Sequence, residues 1–243
     1  MARIPLPSRD EMTPEQRRVH DAVVAGPRGT VVGPLRAVIH NPALAERWST
    51  LGEILRFGTS LPKRLNELAI IITGRRWTSQ VEWWVHARAA AAAGLPEAAI
   101  EAIRTGEPPE FDEPDDALVY EFARQLQQSG RVPLDTYRAA EARWGAVGVV
   151  ELTAVIGYYT MVSMALNAHE IPLPDGVAAP LSPLPVAQDG LTPLPPARLR
   201  TAATVGRIGM GDGGSGTVSA PSAAHRQPAA LCGSANMDDG TSA

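Results

Sequence analysis

Apolar residues recur three or four positions apart along most of the first 178 residues. In one such stretch Leu44, Trp48, Leu51 and Leu55 fall on one face of a helix. No stretch alternates apolar and polar residues between turn signals, as an amphipathic strand would. We therefore expect an all-α fold of seven or eight helices packed into a single domain. The predicted helices cover residues 14–25, 42–58, 62–77, 79–94, 96–104, 114–128, 133–144 and 147–168.

Helix start signals precede several of these stretches. Thr13 and Gln16 fit a capping box with Pro14 at the first helical position. Asn41 stands before Pro42 at the start of the next long helix, where its side chain can cap the first turn. The sequence thus predicts where these helices begin as well as how many there are.

The helical pattern ends after residue 178. Residues 179–243 are rich in Pro, Gly, Ala and Ser, and all twelve aromatic residues lie before residue 160. Such a composition buries too little apolar surface to offset the entropy of ordering the chain. Its glycine-rich run GMGDGGSG lacks the Gly-Lys-Ser/Thr of a phosphate loop. The prediction is a helical domain over 1–178 followed by a disordered tail over 179–243.

The last predicted helix, over 147–168, is apolar on nearly every face. A helix of this kind lies at the centre of a fold or at an interface between subunits. We expect it to do both, and therefore expect a homo-oligomer.

Composition excludes some classes of partner. The chain has 22 basic and 26 acidic residues, a net charge of -4, which argues against nucleic acid as a main partner. No secretory signal and no membrane-spanning stretch is evident, so a soluble cytoplasmic protein is expected. The one cysteine, Cys232, has no second cysteine with which to form an internal disulfide.

Ser79, Glu82 and His86 fall at the start of the fourth predicted helix, within TSQVEWWVHARAAAAAG. Ser79 and Glu82 fit a capping box, and Glu82 lies one turn before His86, so the three can belong to a helix start without further function. A carboxylate and an imidazole on one helical face can also move protons, because the carboxylate raises the pKa of the histidine. Burial beside Trp83 or Trp84 would raise the pKa of the glutamate. Spacing alone leaves both interpretations open.

The wider spacing resembles a family motif. Eleven residues separate Glu67 from Ser79, two separate Ser79 from Glu82, and three separate Glu82 from His86. This is similar to the carboxymuconolactone decarboxylase and alkylhydroperoxidase (AhpD-like) family, whose peroxidase branch has cysteines at the positions of Ser79 and Glu82. The flanks, GPRGTVVGPLRAVIHNPALAERWSTLGEILRFGTSLPKRLNELAIIITGRRW and GVVELTAVIGYYTMVSMALNAHEIPLP, resemble the family's opening and closing helices. The resemblance covers about residues 10–176.

The resemblance implies a lyase rather than a thiol peroxidase, because both redox cysteines are absent. In the decarboxylase branch a carboxylated unsaturated lactone, derived from aromatic degradation, loses carbon dioxide without a cofactor. By resemblance His86 is the proton donor or oxyanion partner, Glu82 orients it or shuttles the proton, and Glu67 completes the cluster. Arg36 is the candidate cation for the substrate carboxylate. The family also implies a trimer or a hexamer.

Ser79, Trp83 and Asn167 are further candidates for substrate binding, since each can lie near the motif. Tyr158 and Tyr159 are interpreted as core residues. A metal site built from the motif's two glutamates and histidine is conceivable, but the resemblance does not support it, so no metal is predicted. Two alternatives to a lyase stay open: a non-catalytic small-molecule-binding protein of the same fold, and peroxidase activity without the cysteines. Neither the substrate nor the role of the tail follows from the sequence.

Overall fold

The computed structural model describes residues 2–184 and 190–200. Within them the fold is all-α, with eight helices, one 3-10 turn (Arg9–Glu11) and two short strands that pair in parallel. The predicted fold class is confirmed. The helices are α1 (Pro14–Ala25), α2 (Leu35–Val38), α3 (Pro42–Phe57), α4 (Lys63–Arg76), α5 (Gln80–Ala92), α6 (Glu97–Thr105), α7 (Pro114–Ser129) and α8 (Leu134–Ala168). The strands are β1 (Glu110–Phe111) and β2 (Arg198–Leu199).

The predicted start signals of α1 and α3 form as expected. The Thr13 hydroxyl accepts a hydrogen bond from the Gln16 amide, and the Gln16 side chain accepts one from the Thr13 amide. The Asn41 side chain accepts a hydrogen bond from the Leu44 amide at 3.1 Å. Each bond satisfies an amide that a helix start leaves without a partner in the helix.

Helix α4 lies at the centre of the molecule, between α5, α7 and α8. Every residue from Leu65 to Arg76 is buried, which explains the run of apolar residues in this part of the chain. Each fully buried isoleucine there, such as Ile71, contributes about 1.5–3 kcal/mol relative to an exposed position. A polar side chain on this helix is therefore enclosed by the core.

Helix α8 changes direction at Gly145, whose φ of 67° and ψ of 180° are not helical. A positive φ favours glycine because a side chain would meet the backbone. The break separates the two stretches that were predicted as helices over 133–144 and 147–168. The second stretch packs Val149, Leu152 and Ile156 into the core.

By length and composition alone, α8 is apolar enough to cross a membrane, the one such helix in the described part of the chain. The expectation that the chain has no apolar stretch long enough to span a membrane was therefore wrong. Half of its most apolar window is buried inside the protein, which is common for the central helix of a folded domain.

The predicted tail begins too early. Residues 179–184 and 190–200 lie on the helices, with Leu181, Thr192 and Leu194 buried. Arg75 and Arg76, at the end of α4, donate hydrogen bonds to the carbonyl oxygens of residues 182 and 192. Composition does not reveal such bonds, because they depend on the main chain of the tail and not on its side chains. Residues 201–243, with Cys232, lie outside the described residues.

Candidate active site

The three predicted catalytic residues meet inside the protein. Glu67 of α4 and His86 of α5 form a hydrogen bond of 2.7 Å between Oε2 and Nδ1. On the other side of the ring, Nε2 of His86 lies 3.1 Å from Oε1 of Glu82. The residues Glu67, His86 and Glu82 are only 1%, 3% and 5% exposed. The imidazole therefore stands between two carboxylates, away from bulk water.

A tight connection between α4 and α5 produces this arrangement. Thr78 adopts a φ of 46°, in the left-handed region that few residues other than glycine occupy. The Ser79 amide then donates a hydrogen bond of 2.9 Å to the carbonyl oxygen of Gly74. The chain turns back at once, so α5 packs along α4 and the face that carries His86 meets Glu67.

The capping box predicted for α5 does not form. Ser79 is the N-cap residue, but its hydroxyl accepts no bond from the helix amides and has no partner among the described residues. The Glu82 side chain is directed to His86 instead of back to the Ser79 amide. The helix start thus lacks its usual side-chain cap, and the carboxylate that would have completed the cap is left for the site.

Glu82 is the least satisfied member of the cluster. Although its Oε1 lies close to His86, the contact lacks hydrogen-bond geometry, and this oxygen has no hydrogen bond within residues 2–184 and 190–200. Burial raises the pKa of the Glu82 carboxyl, an effect that the positive charges of His86 and Arg56 partly offset. Burial therefore favours the protonated form, which can donate a proton.

A cavity of about 350 Å³ opens beside this cluster. Glu82 and His86 line it, whereas Glu67 lies behind the imidazole and does not. Glu67 is thus placed to orient the ring, and Glu82 and His86 are placed to contact a bound molecule. The volume suits a small organic ligand.

Three arginines, Arg28, Arg36 and Arg56, also line the cavity. None of them forms a salt bridge with a carboxylate in the described part of the chain, whereas most of the surface arginines do. Two guanidinium nitrogens of Arg28 are buried without a regular hydrogen bond to a described residue, although the Tyr158 hydroxyl lies close to the guanidinium and interacts with it. Arg56 lies over the ring of Phe57, 5.2 Å from its centroid. The cavity wall therefore carries positive charge that no salt bridge among the described residues neutralises, although Arg28 and Arg56 are near enough to Glu82 to favour its ionised form.

Aromatic side chains form the rest of the wall. The edge of the Tyr159 ring meets the His86 ring, with centroids 5.0 Å apart, and the Tyr158 hydroxyl donates a hydrogen bond of 3.2 Å to the Trp48 carbonyl. Burial raises the pKa of Tyr158 to about 12 and that of Tyr159 well above its ordinary value. Both phenols are neutral near pH 7, so they act as walls and hydrogen-bond donors and not as anions.

Of the four residues predicted to bind substrate, one lines this cavity and three do not. Arg36 lines the cavity, but Trp83 does not, because successive helix residues point about 100° apart and Trp84 takes that place. Trp83 is buried in the core. Ser79 and Asn167 line a second hollow. The Asn167 side chain donates to the Trp77 carbonyl at 2.8 Å, which holds it away from the first cavity.

Sequence reasoning missed Arg28 and Arg56, and interpreted Tyr158 and Tyr159 as core residues only. Arg28 lies in a loop rich in glycine, which has no periodicity to place it. Arg56 lies in the last turn of α3, where a basic residue ordinarily complements the helix dipole. Neither position carried a local signal of a site.

Within the described residues, no group of three or more His, Cys, Asp or Glu side chains is arranged to hold a metal ion. The two glutamates flank the histidine on opposite ring nitrogens, so the three do not converge on one point. The three side chains instead form a line, with the imidazole in the middle.

No protein-family model matches the chain, and no curated protein matches it by sequence. Several solved structures are similar in fold, among them the following two. One is the alkylhydroperoxidase AhpD core of an uncharacterized peroxidase-related protein from Ralstonia eutropha JMP134, with a TM-score of 0.58 and 12% identity, covering 72% of this chain and 93% of that one. The other is an uncharacterized peroxidase-related protein from Silicibacter sp. TM1040, with a TM-score of 0.56 and 15% identity, covering 70% and 91%. The chain has the fold of the AhpD core, and identities this low speak to the fold alone.

Proposed function

We propose that this protein is a cofactor-independent acid–base enzyme that acts on a small carboxylated lactone or acid. The observation that carries the proposal is the buried line from Glu67 through His86 to Glu82, which ends at a cavity with unpaired arginines. Pairs of titratable groups in a water-poor pocket are typical of proton-transfer sites.

The arginines supply the substrate preference. Arg28, Arg36 and Arg56 line the cavity and would each form charge-assisted hydrogen bonds with the carboxylate of a bound ligand. The apolar and aromatic remainder of the wall suits a flat, unsaturated ring. Such a ligand would neutralise the cavity while its ring packs against Trp48 and Tyr159.

Decarboxylation is the reaction that we propose. The bond between the substrate carboxylate and the ring carbon breaks, carbon dioxide leaves, and the electron pair moves into the lactone carbonyl as a dienolate. An arginine stabilises that negative charge. Protonated Glu82 then donates a proton to a ring carbon, so one proton is consumed for each carbon dioxide released.

His86 restores the acid. Its Nδ1–H donates to the Glu67 carboxylate, which fixes the ring and stabilises the imidazolium. The Nε2–H, 3.1 Å from Glu82, returns a proton to that carboxylate once the two side chains adopt hydrogen-bond geometry, and His86 takes its replacement proton from water that enters the emptied cavity. Glu67 therefore positions the histidine, and Glu82 and His86 do the chemistry.

A peroxidase of the thiol type is disfavoured. Such an enzyme attacks peroxide with a thiolate at the start of this helix, whereas Ser79 and Glu82 stand there in this chain. The related structures are described as peroxidase-related, but they share only the fold with this protein. We expect a peroxide-consumption assay with a dithiol reductant to give no signal.

The test uses carbon dioxide release from a panel of carboxylated unsaturated lactones. The wild-type protein should turn over at least one of them, and His86→Gln and His86→Ala should lose at least about 100-fold in kcat. His40→Gln is the matched control, because His40 is exposed, donates to the Pro5 carbonyl and does not line the cavity. It should keep full activity, and circular dichroism should show all variants folded. If the wild-type protein binds these ligands without turning any of them over, it is a binding protein and not an enzyme.

A further inference from the structure

The second half of α8 carries an exposed apolar stripe, which we name the α8 seam. Its residues follow one another at intervals of three, four, three, four and three positions, the spacing of a coiled-coil face. Val147 and Val150 are 64% and 67% exposed, and the methionines of the stripe are also exposed. The seam consists of Val147, Val150, Ala154, Gly157, Met161 and Met164.

The seam is not needed to build the protomer. The opposite side of α8 already packs Leu152, Val155 and Ile156 into the core. No charged residue interrupts the seam, and the neighbouring Glu151 is bound to the amide and hydroxyl of Ser60. A long apolar face without charge is unusual on a free surface and typical of a face that another chain covers.

Gly157 gives a second, independent indication. A glycine inside a helix costs about 1 kcal/mol relative to alanine. Within the protomer nothing lies within 4 Å of where its Cβ would be, so no contact in the described structure requires glycine there. By contrast, a Cβ at Gly148 would meet the Trp144 side chain at 2.4 Å. A small residue with open space before it allows a second helix to approach closely.

We propose that a second copy of this chain packs on the α8 seam, with the two α8 helices antiparallel about a two-fold axis near residues 155 and 156. The order of side-chain sizes along the seam is a palindrome: two large, two small, two large. About this axis Val147 meets the partner's Met164, Val150 meets the partner's Met161, and Ala154 meets the partner's Gly157. Large pairs flank a narrow centre, which is the geometry a self-complementary interface needs.

The seam supplies about half of the area that such a dimer needs. The seam is about 26 Å long and about 10 Å wide. Helix α3, which contacts α8 through Trp48 and Tyr158, exposes Leu51 and Ile54 as well. The seam alone offers about 260 Å² per protomer, so the exposed residues of α3 would have to contribute the remainder of the approximately 1,000 Å² in total expected of a specific contact.

The register can be tested by exchanging charges. Val150→Lys and Met161→Glu, each alone, place an unpaired charge in the seam twice per dimer. Each should raise the dimer dissociation constant by roughly 100-fold or more. The double variant places each lysine opposite the partner's glutamate and should dimerise again. Sedimentation velocity of the full chain reports the outcome, since one chain weighs 25.7 kDa.

Leu134→Lys is the matched control, because Leu134 is an exposed apolar residue of α8 that lies before the Gly145 break. It should leave the dimer intact. A monomeric wild type, an assembly that the single variants do not weaken, or a folded double variant that stays monomeric would each overturn the proposal. In a parallel pair, like charges would face each other and the double variant would fail. Carbon dioxide release by the same variants shows separately whether the cavity remains active.

Discussion

Two buried carboxyl groups, Asp116 at the start of α7 and Glu82 at the start of α5, differ in whether the protein gives them a fixed cationic partner. Burial raises the pKa of both groups, in the case of Asp116 to about 6. Asp116 forms an ion pair with Arg64 of α4. Glu82 has an imidazole beside it, but the arginines near it stand around a cavity and have no carboxylate partner among residues 2–184 and 190–200.

The difference separates a structural pair from a site. At Asp116 the protein itself supplies the cation, so the charge contributes to holding α7 on α4. Around the cavity beside Glu82, the protein places a carboxyl group and an imidazole together with arginines that have no salt bridge among the described residues. A buried charge that lacks a fixed partner costs free energy, and proteins retain such groups where a ligand completes them. The following predictions, from the largest expected effect to the smallest, test this contrast.

Glu82→Gln should abolish most of the turnover while leaving the fold intact. Glutamine keeps the shape but cannot donate the catalytic proton, so we expect kcat to fall by roughly 100-fold to 10,000-fold. The free energy of unfolding at pH 7 should change by less than about 1 kcal/mol, because glutamine is a neutral group of the same shape as the protonated carboxyl. Carbon dioxide release and urea unfolding measure the two effects. Asp116→Asn is the control and should retain wild-type kcat.

Arg64→Met should destabilise the fold and spare the chemistry. It leaves Asp116 buried without its cation, and we expect a loss of about 2–3 kcal/mol at pH 8. The loss should shrink as the pH falls and Asp116 becomes protonated. Arg143→Met is the matched control, since its partner Asp115 neighbours Asp116 but the arginine is exposed; it should cost less than about 1 kcal/mol. Equal losses in the two variants would contradict the contrast.

Asp116 should also impose a pH dependence on wild-type stability. Its pKa is about 6 in the folded protein and 3.8 in the unfolded chain. Between these values the folded state binds more protons, so the free energy of unfolding falls as pH rises, by at most about 3 kcal/mol. Asparagine does not titrate, so urea midpoints of wild type relative to Asp116→Asn should decline from pH 4 to pH 7. Parallel curves would show that Asp116 is not shifted.

Arg36→Met should weaken substrate binding more than chemistry. Loss of one charge-assisted hydrogen bond predicts a KM about 10-fold higher, with kcat changed by less than about threefold. Steady-state kinetics on the best substrate of the panel measure both. Arg47→Met, an exposed arginine on α3 that pairs with Glu46, should leave both constants unchanged. A fall in kcat alone would place Arg36 at the reacting atoms instead.

The helices could be predicted from the sequence because caps and breaks depend on residues close to each other in the chain. Thr13 and Asn41 cap the helices that follow them, and the break at Gly145 comes where two predicted helices meet. The resemblance to a known motif also predicted that Glu67 and His86 belong to one cluster. In the structure they form a hydrogen bond across the turn between α4 and α5. These are the parts of the structure that neighbours in sequence, or a spaced motif, determine.

Tertiary contacts decided the rest. Ser79 has the sequence of a cap, but burial turns its hydroxyl away from the helix amides. Trp83 and Trp84 are adjacent in sequence, and only the packing of α5 decides which of them faces the cavity. Arg28 comes to the cavity on a loop without periodicity. The geometry around Glu82 therefore required the packed structure.

The extended segment after α8 bears on how this protein can be shortened. Leu181 and Leu194 bury their side chains against the helices, and Tyr120 donates a hydrogen bond to the Pro195 carbonyl. A recombinant version truncated at residue 178, where the predicted helical domain ends, would uncover apolar patches and remove the carbonyl oxygens of residues 182 and 192 that Arg75 and Arg76 bind. Expression trials should therefore keep the chain at least through Arg200 and trim only beyond it.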